Sequence, residues 1–571
     1  MRIRPLLLAA LLAPLWSGGV AEARSQVGEA QVHARPRPRK AAPKRKVTPA
    51  KRRARAAIAV PTQRRVPLLP ERARGPVGNV APAGETELER RLQRQLDELM
   101  DSRWLKTGIN GVHVRDVKTG RVLYAYGDDR QLNIASNVKL VATAAALDEL
   151  GAEFAYETRV EGADPDDDGL VAGDVRLRGH WDPTLGWKAV AGLAQALADR
   201  GVKRIGGDLL VTAGERDAVA SPRVAIDIVA GPAAGDLPAV TVTPDAAIFV
   251  VETTAETARR ARKPKLEVET HWVPGAEPAL DRYVIKVAGK LKPGERARVV
   301  RYVPRGSLYT AHVLRSELLA RGIAVDGVVR QEADAPEGSA LATHQSAPLR
   351  VLAARINKPS DNYLADRLTM TLGGEVRGSD PAMDAGVEAM GAWLAKIGIR
   401  TGSYRLENGS GLSYTSHMSA RQIVEVLLAA AHDPVMGADF LHSLSVGGVD
   451  GTLRSRFGDR PSKGLVRGKT GTLTGVSALS GFIEVGPDQT LCFSILSNNY
   501  GSRRKLSIRA AHADIVDALH GYLVARAGRT PPPPPPEPEV APVATPEPEV
   551  APAPAEEEEA QPAAVEPEQA P

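Results

Sequence analysis

The texture of this 571-residue chain changes after Gly151 and changes back at Ala347, and that interruption decides what the chain can build. From Ala152 to about Thr343, short β-like runs alternate with Gly/Pro/Asp turns: Leu170 to Leu177, Gly207 to Val211, Ala239 to Val251, Tyr283 to Val287 and Ala297 to Tyr302. Only Trp187 to Arg200 and Leu308 to Arg321 read as helix there. Before the interruption, leucines at 88, 92, 96 and 99 mark a helix within Glu85 to Trp104, and alternation predicts a hairpin from Gly111 to Val117 and Arg121 to Tyr126. After it, helices are expected at Ala347 to Ile356, on through Leu372, at Ala382 to Lys396, Ser419 to Ala431 and Arg504 to Ala527. Two strands, Ala478 to Val485 and Gln489 to Leu496, precede the last of these. The expected fold is α/β: one domain of antiparallel strands flanked by helices, built from 85–151 and 344–528. Residues 152–343 are inserted as one β-rich unit or two nested ones.

The length suggests two or three domains. Residues 1–23 read as a signal peptide: Arg2 and Arg4, an apolar core from Leu6 to Trp16, then Ala21-Glu22-Ala23. An uncleaved anchor is the alternative. Residues 24–80 form a basic arm with too little apolar content to fold. From Arg24 to Gly75 it carries 16 Lys/Arg against 2 Asp/Glu. Such a run is usually a solvated tail; in an exported protein it could also hold the chain to an anionic wall polymer or membrane surface. Export argues against nucleic acid. Residues 529–571 are a Pro/Glu-rich tail with 10 Glu after Thr530 and no basic residue, so the two arms nearly cancel and the middle is close to neutral. The single cysteine, Cys492, sits in an apolar strand and reads as a small core residue. Scattered histidines predict no metal site and no cofactor.

Three short motifs carry chemistry. Ser136 opens an apolar helix with Lys139 three residues on, so the amine lies on the hydroxyl's face one turn along and can act as its base. Ser360-Asp361-Asn362 follows Pro359 at a helix break; alone it could be only a capping turn. Lys469-Thr470-Gly471 stands before the last hairpin. Each has decoys, at Ser502/Lys505, Lys106 to Gly108 and Lys118 to Gly120, and order separates them. The trio Ser-x-x-Lys, Ser-Asp-Asn, Lys-Thr-Gly marks penicillin-binding proteins and class A β-lactamases. In that reading Ser136 is the nucleophile and Lys139 its base, its pKa lowered by burial and by cations such as Lys469. Ser360 relays a proton to the leaving amine. Asn362 holds substrate backbone, and Lys469 and Thr470 contact substrate, Lys469 as a fixed positive charge. The backbone N–H groups of Ser136 and Thr472 form an oxyanion hole.

The chain resembles the D-alanyl-D-alanine carboxypeptidase/endopeptidases, the class C low-molecular-mass penicillin-binding proteins, over roughly Leu92 to Leu523. The resemblance rests on the three motifs together with Asn408-Gly409-Ser410-Gly411-Leu412-Ser413, Gly448-Val449-Asp450-Gly451-Thr452-Leu453 and Asp182-Pro183-Thr184-Leu185. The stretch between Ser136 and Ser360 is far too long for a β-lactamase and suits a family with domains inserted there. His180-Trp181 replace the glycines usual before Asp182.

The resemblance implies a penicillin-binding transpeptidase-like fold and a Ser136 acyl-enzyme that hydrolyses peptidoglycan stem peptides. It also implies inhibition by β-lactams and an exported, periplasmic location at the cell envelope. A β-lactamase and a non-catalytic wall-binding protein are the alternatives.

Overall fold

The computed structural model describes residues 86–528 except 213–222, 260–265, 333–337, 487 and 502–504. The expected signal peptide, the basic arm and the acidic tail lie outside the described residues.

A six-stranded antiparallel sheet runs Val122–Tyr126, Ile109–Asp116, Gln489–Asn498, Val476–Gly486, Val466–Leu473, Ser445–Val446. The N-terminal hairpin closes on the C-terminal one through Ile109–Asp116, with Val112 opposite Ile495 and Val114 opposite Phe493. Both ends of the chain therefore share one sheet. Its strands are apolar on both faces, and the two-residue period sorts them: Cys492 and Leu496 face one core, while Leu491, Phe493 and Ile495 face another. The helices Glu87–Met100 and Lys505–Arg526 cover the second core. Val138–Leu150 and Ala420–His432 pack in the first.

Val138–Leu150 is buried on every side from Val138 to Leu147 and ends at Gly151, whose φ is positive at 85°. Small alanines let neighbours approach from all round, the pattern of a central helix. The helix Leu349–Asn357 stops at Lys358 ahead of Pro359, and Asn362–Arg377 begins with Asp361 capping the Leu364 amide. The capping reading of Ser360-Asp361-Asn362 thus describes Asp361, with a serine and an asparagine on either side left for other work. The short helix Gly437–Ser443 is not foreseen in the sequence.

A third apolar cluster is drawn entirely from residues between Val160 and Ala342. It contains a five-stranded mixed sheet, ordered Val329–Glu332, Leu209–Thr212, Val175–Gly179, Glu157–Gly162, Ser339–Gln345. The helices Trp187–Asp199 and Gly306–Ala320 belong to the same cluster. Between Leu209–Thr212 and Gly306–Ala320 in sequence lie two three-stranded sheets, built from Arg223–Val229, Ala239–Thr243 and Arg296–Tyr302, and from Phe249–Thr253, Glu267–Val273 and Arg282–Ala288. The expected single run Ala239 to Val251 is two strands in different sheets.

This part of the chain meets the Asn362–Arg377 helix through alternating cations and rings. The Arg367 guanidinium lies 4.3 Å from the Trp181 ring and 5.3 Å from that of Tyr363, and Arg223 lies 4.7 Å from Tyr363 and 4.8 Å from Tyr302. His180 adds a contact to Glu375 at 3.1 Å. The departure at His180-Trp181 therefore falls on this junction. Among the described residues, no helix is long and apolar enough to cross a membrane.

Candidate active site

Ser136 sits in a 3-10 turn, Ala135–Asn137, that runs directly into the buried helix. The turn is strained, with Ala135 at φ 46°, and Ser360 across the site is left-handed as well at φ 62°. Non-glycine residues persist in that region only where the surroundings enforce it, and such positions gather at functional sites. Two glycines show what enforces the first. A Cβ on Gly471 would lie 2.7 Å from the Ile134 carbonyl oxygen, and one on Gly411, itself at φ 71°, would lie 2.0 Å from that of Ala135. Strand and loop close on the serine's turn because neither carries a side chain there.

Lys139 is fully buried, and its Nζ donates to Asn362 Oδ1 at 2.7 Å and to the Ser410 carbonyl at 2.5 Å. Ser136 Oγ lies 3.2 Å away. A neutral amine has two N–H donors and one lone pair. With both donors engaged by oxygens that can only accept, the lone pair is left for the serine hydroxyl. Burial lowers Lys139 from the ordinary lysine range to about 8, against the opposing pull of Asp366 and Asp361. Burial is the effect anticipated from sequence; Lys469 is not among the causes. The influence runs the other way: burial, then Lys139, push Lys469 well below the lysine range. An anion entering the site would favour the protonated form of Lys469.

Lys469 Nζ donates to Ser360 Oγ and to the Thr470 carbonyl, each at 2.8 Å. All the motif residues converge, with one lysine amine against each serine. Ser136, Ser360, Asn362, Thr470 and Thr472 line one cavity of about 640 Å³. Among the described residues the Ser445–Val446 strand pairs with Val466–Leu473 only at Gly468 and Arg467, so the segment from Lys469 to Leu473 is an open edge beside the Ser136 turn.

Several contributors lie outside the Ser-x-x-Lys, Ser-Asp-Asn and Lys-Thr-Gly trio. The Ser410 carbonyl is aimed by Asp366, whose Oδ1 accepts the Ser410 N–H at 2.8 Å, and by the Gly411 N–H to Asn408 Oδ1 at 2.8 Å. Asp366 stands four residues after Asn362 on the same helix, the one spacing that could have flagged it. The loop bearing Ser360 is pinned by Lys358 to Asp450 at 2.5 Å and by the Thr452 N–H to the Lys358 carbonyl at 2.9 Å. Thr452 also meets Thr470 hydroxyl to hydroxyl at 2.8 Å. The decoy Lys118 pairs on the surface with Asp488. Among the described residues no group of acidic, His or Cys side chains could hold a metal.

A family profile described as D-Ala-D-Ala carboxypeptidase 3 (S13) matches residues 92–519. The chain belongs to the S13 family. Within it, the chain is 31% identical over 484 residues to a D-alanyl-D-alanine carboxypeptidase of Actinomadura sp. (strain R39), covering 78% of this chain and 88% of that one. It is 26% identical over 424 residues to the D-alanyl-D-alanine carboxypeptidase DacB of Haemophilus influenzae, covering 69% and 86%. The crystal structure of penicillin binding protein 4 (dacB) from Haemophilus influenzae, complexed with a novel β-lactam, matches with a TM-score of 0.61 at 24% identity, over 76% of this chain and 100% of that one. The fold of this S13 member is accordingly the penicillin-binding transpeptidase-like α/β fold with extra domains.

Proposed function

We propose that this protein is a serine D-Ala-D-Ala carboxypeptidase, D,D-endopeptidase, or both, working on bacterial wall peptides through an acyl-enzyme on Ser136. The observation that carries the reading is the Lys139 amine, buried and held by two acceptors so that its lone pair is left for Ser136 Oγ. Ser136 gives its proton to Lys139 as Oγ bonds to the carbonyl carbon of the scissile amide. The oxyanion forms toward the N–H groups of Ser136 and Thr472. The C–N bond then breaks, and the departing amine takes a proton relayed through Ser360. Water hydrolyses the ester and restores the serine. Preorganised donors of this kind are worth roughly 10²–10³ in rate, and a placed base roughly 10²–10⁴.

Asn362 keeps its Oδ1 on Lys139 and presents its Nδ2 group to substrate. The open edge from Lys469 to Leu473 suits an extended peptide, which would pair with it as an added strand. Lys469 and Thr470 contact that peptide; an anionic substrate group would keep Lys469 protonated.

We read residues 85–151 and 344–528 as the catalytic domain and 152–343 as insertions; the apolar cluster confined to Val160–Ala342 supports the division. A cleaved leader and a basic arm suit an exported, periplasmic enzyme whose arm makes electrostatic contact with the envelope. The experiment is digestion of purified peptidoglycan. Released D-alanine or cleaved cross-links are expected, and a digest identical to untreated wall contradicts the reading.

A further inference from the structure

Arg509 lies in the last helix, far in sequence from every motif, yet one of its terminal nitrogens donates to Thr472 Oγ1 at 2.9 Å. Arg509 and Thr472 line the same cavity as Ser136, and Arg456 and Arg460 line it too, while among the described residues no Asp or Glu does. Of the three arginines, only Arg460 has carboxylate partners among the described residues, Asp514 at 2.8 Å and Asp517 at 2.6 Å. Arg456 donates from Nη2 to the Arg509 carbonyl at 3.0 Å, and its Nε is buried without a partner.

The charge of Arg456 and Arg509 is thus uncompensated by any carboxylate among the described residues. Burial, then Arg509 and Arg460, pull Arg456 down to about 9, and burial, then Arg456 and Arg509, push His512 behind them well below the imidazole range. Like charges held together in a cavity favour an anion that neutralises them. A guanidinium has five donors in a fixed fork, so one bond to Thr472 leaves a face for a planar two-oxygen acceptor.

We infer that Arg509 is a specificity-determining residue that binds the free carboxylate of the substrate's C-terminal residue, beside the Thr472 hydroxyl and with Arg456 reinforcing the field. Thr472 then has two duties: its hydroxyl turns to the carboxylate with Arg509, while its amide serves the oxyanion. This assignment rests on the Ser136 acyl-enzyme reading and names the group by which that site selects its ligand.

The test measures acylation of the full-length protein by benzylpenicillin and by its methyl ester, which lacks the carboxylate. Wild type is expected to prefer the acid. In Arg509→Gln the acid-to-ester ratio of rates should fall about ten- to a hundredfold, the worth of a hydrogen-bonded charge. In Arg509→Lys it should recover in part, since a point charge replaces the fork. A ratio unchanged in Arg509→Gln, or both rates falling together, overturns the assignment and leaves Arg509 a structural partner of Thr472. If the glutamine variant does not fold, Arg509→Lys decides: a ratio reduced several-fold supports the assignment and a full wild-type ratio overturns it. Wild type that both compounds acylate equally overturns it while the acyl-enzyme reading stands. Wild type that neither acylates overturns both.

Discussion

Lys139 Nζ lies 3.2 Å from Ser136 Oγ while its N–H groups are committed to Asn362 and Ser410. That arrangement turns an amine that is ordinarily a cation into a base aimed at one hydroxyl. The pH response of the site and its tolerance of substitution both depend on keeping it so.

With Lys139 at about 8, only about a tenth of it is neutral at pH 7. The neutral form is the base, so acylation should rise about tenfold per pH unit up to roughly pH 8 and then level. Stopped-flow acylation across pH checks this; a rate flat from pH 6 to 9 contradicts it.

Two carboxamide–carboxylate exchanges should move that limb in opposite directions. Asp366 raises the Lys139 pKa, so Asp366→Asn should shift the limb to lower pH. An Asn362→Asp carboxylate would face Lys139 directly, stabilise the ammonium, shift the limb up and cut the rate at pH 7 by roughly 10². Shifts of the same sign in both variants would rule out the electrostatic account.

Gly471→Ala puts a methyl group against the Ile134 carbonyl and the Ala135 side chain. The edge strand must then move away from the serine's turn, and a displacement near 1 Å is worth about a hundredfold in rate. The fold should lose only about 1–3 kcal/mol. Calorimetry beside acylation kinetics separates the two; a larger loss of stability with unaltered kinetics goes against it.

Arg367 is stacked between Trp181 and Tyr363, the latter one residue from Asn362. Removing it in Arg367→Ala should cost about 1–2 kcal/mol. It should also speed amide exchange in the first turn of the Asn362–Arg377 helix, as read by mass spectrometry. Unchanged exchange there would mean that the stack does not brace Asn362.

The reacting side chains are legible in the sequence because their chemistry demands particular residues at short spacings, and order along the chain separates Ser136, Ser360 and Lys469 from their decoys. The sheet is legible because both terminal hairpins alternate or run apolar. The Ser410 carbonyl is not, since a main-chain oxygen leaves no mark of its own in sequence. Asp366 and Arg509 are not, because single charges on helices usually face water. In the insert, Glu157–Gly162 gives no clear strand signal because Glu161, which meets Arg178 at 3.6 Å, is buried and breaks the apolar rhythm. Short-range spacing records chemistry, and these contacts are made at long range.

The most direct test of the account is the mass of the intact protein after brief exposure to penicillin. Ser136 as nucleophile predicts an increase equal to one penicillin, mapped to the peptide bearing Ser136, and none in Ser136→Ala. An adduct of equal extent in Ser136→Ala, or one mapped elsewhere, would contradict it.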